Sequence, residues 1–158
     1  MPMLIIVTAR EARELVQRSN QCENVLSIND NGFLNFDDSH RAKIQNLMEL
    51  QFDDVNHSEI PTAPKLSHIE QIVVWAKVCE SETALIHCNG SGARSTAAAL
   101  ITMVEWGYGA EHASRLVKTM RPTSQPNVLM LRLYGDRELI EAATSRYELP
   151  HRIGGWGF

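Results

Sequence analysis

Long apolar runs are missing from this chain, and so is any excess of positive charge. The apolar start from Met3 to Val7 is far too short for a signal-peptide core or a membrane span, and no other run approaches that length. Nineteen acidic against fifteen basic side chains give a formal charge of −4, which disfavours a general binder of nucleic acid or of acidic membranes. Both of those functions rely on clustered Lys and Arg. Cysteine is scarce as well: Cys22, Cys79 and Cys88 are an odd, widely spaced set with neither a CxxC metal spacing nor a disulfide framework. That usage points to a reducing compartment, and a cytoplasmic protein is the expectation. There is no repeat and no low-complexity segment. At 158 residues and 44% hydrophobic composition, one domain spanning 1–158 is expected, closed by a tail, 151–158, that shows no period.

What is present is a strand-and-helix alternation. Leu4-Ile5-Ile6-Val7 is a β-branched run of strand length, and Thr8 can cap a helix through Glu11, Leu15 and Val16. Asn24 to Ile28 is a second strand candidate, ended by the turn residues Asn29-Asp30-Asn31-Gly32. Residues 33–46 mix aromatic and charged side chains and read as a loop with one helical turn. Leu47 to Phe52 carries an apolar stretch into Asp53-Asp54, and Pro61 and Pro64 stiffen the connection to the next helix. Leu66, Ile69, Ile72, Val73 and Ala76 recur at helical spacing, so residues 65–79 should form an amphipathic helix.

A short strand, Thr83 to Ile86, leads to Cys88, and a helix from about 94 to 106 should stop at Gly107. Another helix carries Ala113, Leu116, Val117 and Met120. A last one, with Pro126 suited to its first turn, carries Leu129, Leu133, Leu139 and Ile140. The pattern predicts an α/β three-layer sandwich with a mainly parallel central sheet flanked by helices. Ligands in such sheets gather at the carboxyl ends of strands, where Cys88 and Asp54 both fall.

The chemistry concentrates in His87-Cys88-Asn89-Gly90-Ser91-Gly92-Ala93-Arg94-Ser95. At a strand-to-helix turn the unpaired N–H groups of the helix start favour an anion, and they favour a thiolate over a thiol. Five residues, Asn89, Gly90, Ser91, Gly92 and Ala93, separate Cys88 from Arg94, enough to wrap a ring of backbone N–H groups around a compact dianion such as a phosphate monoester. Gly90 and Gly92 permit the curvature, and Arg94 adds a planar cationic fork for two phosphate oxygens. Cys88 at the base can attack phosphorus in line, Ser95 can donate a hydrogen bond to its sulfur, and His87 can orient the loop from behind. The leaving oxygen still needs a proton, which a carboxylic acid within reach can supply before acting as base on water. No metal or other cofactor is called for.

His87-Cys88, five residues and Arg94-Ser95 together resemble the signature of the cysteine-dependent protein tyrosine phosphatase superfamily. With an aspartate upstream of the cysteine, the order is similar to the dual-specificity branch, in a small bacterial-type form. The resemblance implies a phosphatase acting on a phosphorylated protein or a small phosphomonoester, with a non-catalytic phosphate-binding module on the same fold as the alternative. It implies a general acid after an apolar strand, for which Asp54 has the better offset and Asp53 is the fallback. It also implies a polar segment after the loop helices that positions the hydrolytic water, with Gln125 as its candidate. The departure is Ser91, where many members carry glycine; a serine held at positive φ would strain the loop. No tyrosine-recognition motif of the larger receptor-type enzymes is found.

Overall fold

The computed structural model describes residues 3–80, 82–90 and 92–145. Ser91 and the tail 151–158 lie outside the described residues. In chain order the elements are β1 (Leu4–Thr8), α1 (Ala9–Arg18), β2 (Cys22–Asn29), α2 (Asp38–Arg41), β3 (Ile44–Gln51) and α3 (Leu66–Val78). They continue with β4 (Ala84–Cys88), α4 (Ala93–Glu105), α5 (Ala110–Met120), α6 (Val128–Tyr134) and α7 (Arg137–Thr144).

The strands lie in the order β1-β4-β2-β3, and every pairing is parallel. β4 is thus central, with Thr8 opposite Cys88 and Ser27 opposite His87. Strand alternation sends Ala84, Ile86 and Cys88 into the larger core with α3, α4, α5, α6 and α7, and Leu85 into a smaller one with Ala12 and Val16 of α1. Two helical layers therefore sandwich one sheet, as the alternating sequence pattern requires.

α4 is the pivot of the larger core. Every residue from Arg94 to Met103 is buried, and the run Ala97-Ala98-Ala99 lets neighbouring helices approach closely. Trp106 Nε1 at its end donates to the Ala76 carbonyl of α3 at 2.8 Å. Gly107 follows with φ 90°, the left-handed turn expected of a helix stop.

Some boundaries differ from the sequence expectation. β3 begins at Ile44 rather than Leu47, because Ile44 pairs opposite Cys22 and is buried although polar residues follow it. The helical turn expected in 33–46 is α2, capped by Asp37. The last helix is two: Gly135, at φ 84°, closes α6, and the Asp136 side chain accepts the Leu139 N–H to start α7. Pro126 sits just outside α6, whose cap is Asn127. Leu66, expected on the apolar face of its helix, is exposed.

Candidate active site

Strand ends and one helix start meet here. α4 begins at Gly92, which is left-handed at φ 75° and offers no side-chain cap. The sulfur of Cys88 takes that place. The Ser95 backbone N–H, at the third position of α4, donates to Cys88 Sγ at 3.4 Å, where a serine or aspartate cap would ordinarily accept it. Ser95 Oγ lies 3.2 Å from the same sulfur and donates to the Gly92 carbonyl at 3.0 Å. Gly90, at φ 62°, is a second left-handed residue among the described residues of the loop. Cys88 is 2% exposed, so one face of the sulfur is in the core and the other lines a cavity.

That cavity, about 130 Å³, is lined by Cys88, Gly90, Gly92 and Ser95 from the loop, by Val7 and Thr8 from the end of β1, and by Arg121, Thr123 and Ser124. A larger groove of about 700 Å³ along α5 and α7 shares none of these residues. Arg94 is 3% exposed, with Nη1 donating to the Phe52 carbonyl at 2.6 Å and Nη2 paired with Asp30 at 2.7 Å. Its Nε is buried with no hydrogen-bond partner among the described residues. The other oxygen of Asp30 accepts from Asn89 Nδ2 at 3.1 Å, so one carboxylate at the end of β2 holds both the arginine and the loop.

The two aspartates after β3 are differently employed. Asp53 Oδ2 accepts from Thr62 Oγ1 at 2.6 Å and Oδ1 from the Asn31 N–H at 3.0 Å. These donors, Thr62 first, and the nearby Arg94 charge hold its pKa below the ordinary carboxylate value. Both carboxylate oxygens of Asp53 are thus taken up by donors of the protein itself. Asp54 is exposed, and its Oδ1 accepts from Asn127 Nδ2 at 2.8 Å.

Behind the loop, His87 is fully buried on the α1 face of the sheet. Its Nε2 is 2.6 Å from Ser27 Oγ and 3.4 Å from Asn35 Nδ2, and Phe36 meets it edge-on at 5.3 Å. Burial pushes its pKa down to about 4 against a smaller opposing effect of the Cys88 backbone, so the ring is neutral at pH 7. Cys79, by contrast, is a core residue, its thiol pushed up to about 12 by burial.

No family model matches the sequence, and no curated protein matches it. Solved structures do. Tk-PTP in its active form aligns with TM-score 0.62 at 20% identity, over 89% of this chain and 93% of that one. A mouse protein assigned as a dual-specificity phosphatase, solved with zinc tungstate, gives 0.61 at 20% identity over 89% and 84%. Human DUSP28 gives 0.61 at 17% identity over 84% and 86%. The fold is the one these phosphatase structures share.

Within this phosphatase fold, the structure brings together Cys88, Ser95, Gly90, Gly92 and the backbone at Ala93, with Arg94, Asn89 and Asp53 joined through Asp30 and Asn31. Gln125 is exposed and lines no part of the cavity, whereas its neighbours Thr123 and Ser124 do. Sequence reading missed Asp30, Thr8, Arg121 and Asn127. Asp30 and Thr8 carried one usable signal, their position at strand carboxyl ends. Among the described residues no cluster of His, Cys, Asp and Glu is arranged to hold a metal, and no helix is long and apolar enough to cross a membrane.

Proposed function

We propose that this chain is a phosphatase that hydrolyses phosphomonoesters through a cysteinyl-phosphate intermediate, acting on phosphotyrosyl or dual-specificity protein substrates. The observation that carries the reading is the Cys88 sulfur seated as the cap of α4, with Arg94 buried in the first turn of that helix. A cavity of about 130 Å³ takes a phosphoryl group and the near part of its ester, leaving the bulk of a protein substrate outside.

In the first step the Cys88 thiolate attacks phosphorus, forming the S–P bond as the P–O bond to the leaving group breaks. Asp54 gives its proton to the departing oxygen. Loop N–H groups and Arg94, whose Nε lacks a partner among the described residues, stabilise the charge on the equatorial oxygens. In the second step Asp54, now a carboxylate, takes a proton from the water that attacks phosphorus. The P–S bond breaks and the sulfur leaves with its electron pair, met by the Ser95 N–H that donates to it and by the Ser95 hydroxyl, 3.2 Å away, which turns from the Gly92 carbonyl to donate to the thiolate. Asp54 is preferred to Asp53 as acid because both oxygens of Asp53 are engaged, by Thr62 and by the Asn31 N–H. Turnover of a generic aryl phosphate that resists chelators and disappears in Cys88→Ser tests the reading; undiminished turnover in that variant would sink it.

A second reading, a phosphate-binding module without catalysis, has one observation on its side: the Asp30 carboxylate already pairs with Arg94 Nη2. Phosphate binding by the wild-type chain with no hydrolysis of any aryl phosphate would favour it.

A further inference from the structure

The loop that carries Asp54 is clipped at its base and tied down near its tip. At the base, the Asp53 N–H donates to the Thr62 carbonyl at 2.8 Å and Thr62 Oγ1 returns a bond to Asp53 Oδ2. Near the tip, three successive residues dock on the start of α6. Asp54 Oδ1 and the Val55 carbonyl both accept from Asn127 Nδ2, at 2.8 and 3.1 Å. Asn56 Oδ1 accepts the Val128 and Leu129 N–H groups at 3.1 and 3.3 Å.

Asn127 is 1% exposed and fully committed. Besides those two bonds, its Oδ1 accepts the Met130 N–H at 3.0 Å, and its own N–H donates to the carbonyl of Ala93, the first residue of α4, at 2.9 Å. One buried residue therefore connects the acid loop, through its side-chain amide, to the helix that begins at the nucleophile loop, through its backbone N–H.

We propose that Asn127 is the positioning residue that sets Asp54 for proton transfer, an inference that rests on the phosphatase reading with Asp54 as acid. Its amide fixes the rotation of the carboxyl group by engaging Oδ1. Asn56 assists by capping α6 from the loop side, so that helix start and loop hold one another. A buried asparagine with both amide ends satisfied is rigid, which a group placed for proton transfer requires.

The test is kcat/KM over aryl phosphates of graded leaving-group basicity, plus one alkyl phosphate, for wild type, Asp54→Asn, Asn127→Ser, Asn56→Ala and the Asp54→Asn/Asn127→Ser pair. Serine is itself a good helix cap, so Asn127→Ser retains the start of α6 while losing the amide donor. It is expected to lose about 10-fold or more on the most basic leaving groups and under about 3-fold on the least basic. In the Asp54→Asn background it should add nothing further, and Asn56→Ala should show the same selectivity at about 3-fold. An equal loss across all leaving groups, or a full additional loss in the Asp54→Asn background, would overturn the assignment. If Asp54→Asn shows selective loss and Asn127→Ser does not, the positioning role fails alone. If Asp54→Asn shows none, the acid assignment fails and the positioning role with it, while Cys88→Ser still tests the covalent step separately.

Discussion

At Cys88 the proposed nucleophile doubles as a structural group: the sulfur stands where Gly92 offers no side-chain cap, so charge on it is met by the Ser95 N–H. Ser95→Ala keeps the N–H and removes the hydroxyl. Breakdown of the intermediate should then slow more than its formation, and a pre-steady-state burst of aryl alcohol should appear; its absence, with both steps unchanged, would deny the hydroxyl its role. Asp53→Asn should leave the leaving-group dependence as in wild type and lower the melting temperature, because Asp53 holds Thr62 and Asn31. Asp54→Asn should do the reverse. Cys88, Ser95, Arg94 and His87 were legible because one short segment carries their spacing. Asp30 and Asn127 were not, since their partners lie 59 and 73 positions away for the Asn89 and Asp54 contacts. In sequence Asp30 reads as an ordinary turn residue, and Asn127 as one polar residue of the segment for which Gln125 is the candidate.

Elements were legible where apolar period and stop signal agreed. α4 is the clearest case, bounded by Gly92 and Gly107, and its alanines report close helix packing. Ala98→Leu should cost about 1–3 kcal/mol by overpacking, read as a lower chemical-denaturation midpoint with unchanged slope. The break between α6 and α7 was hidden, because Leu129, Leu133, Leu139 and Ile140 continue a helical spacing across Gly135. Asp136→Ala should cost about 1 kcal/mol through the lost cap of α7, measurable as a fall in melting temperature. β3 was shortened for the opposite reason: Ile44 belongs to a strand whose next residues are polar, and only its pairing with β2 marks it.

Across the whole molecule the parallel sheet sets one end apart for chemistry, with Thr8, Asp30, Asp53 and Cys88 at or just beyond the carboxyl ends of four strands. The same sheet buries His87 on its other face, and that carries a pH cost. Its folded pKa of about 4 lies below the ordinary 6.5, so the unfolded chain takes up the proton first as pH falls. Stability is full above pH 6.5 and drains towards pH 4, by about 3 kcal/mol. His87→Asn should flatten the fall in melting temperature between those limits relative to wild type; parallel curves would refute it.

The central claim is covalent, and trapping decides it most directly. Wild type and Cys88→Ser are each mixed with an aryl phosphate, quenched in acid within one turnover, digested and analysed by mass spectrometry. A phosphoryl group on the wild-type peptide that contains Cys88, absent from Cys88→Ser and lost on the timescale of turnover, is the expected result. Phosphate release with no adduct on that peptide, persisting at the wild-type rate in Cys88→Ser, would contradict it.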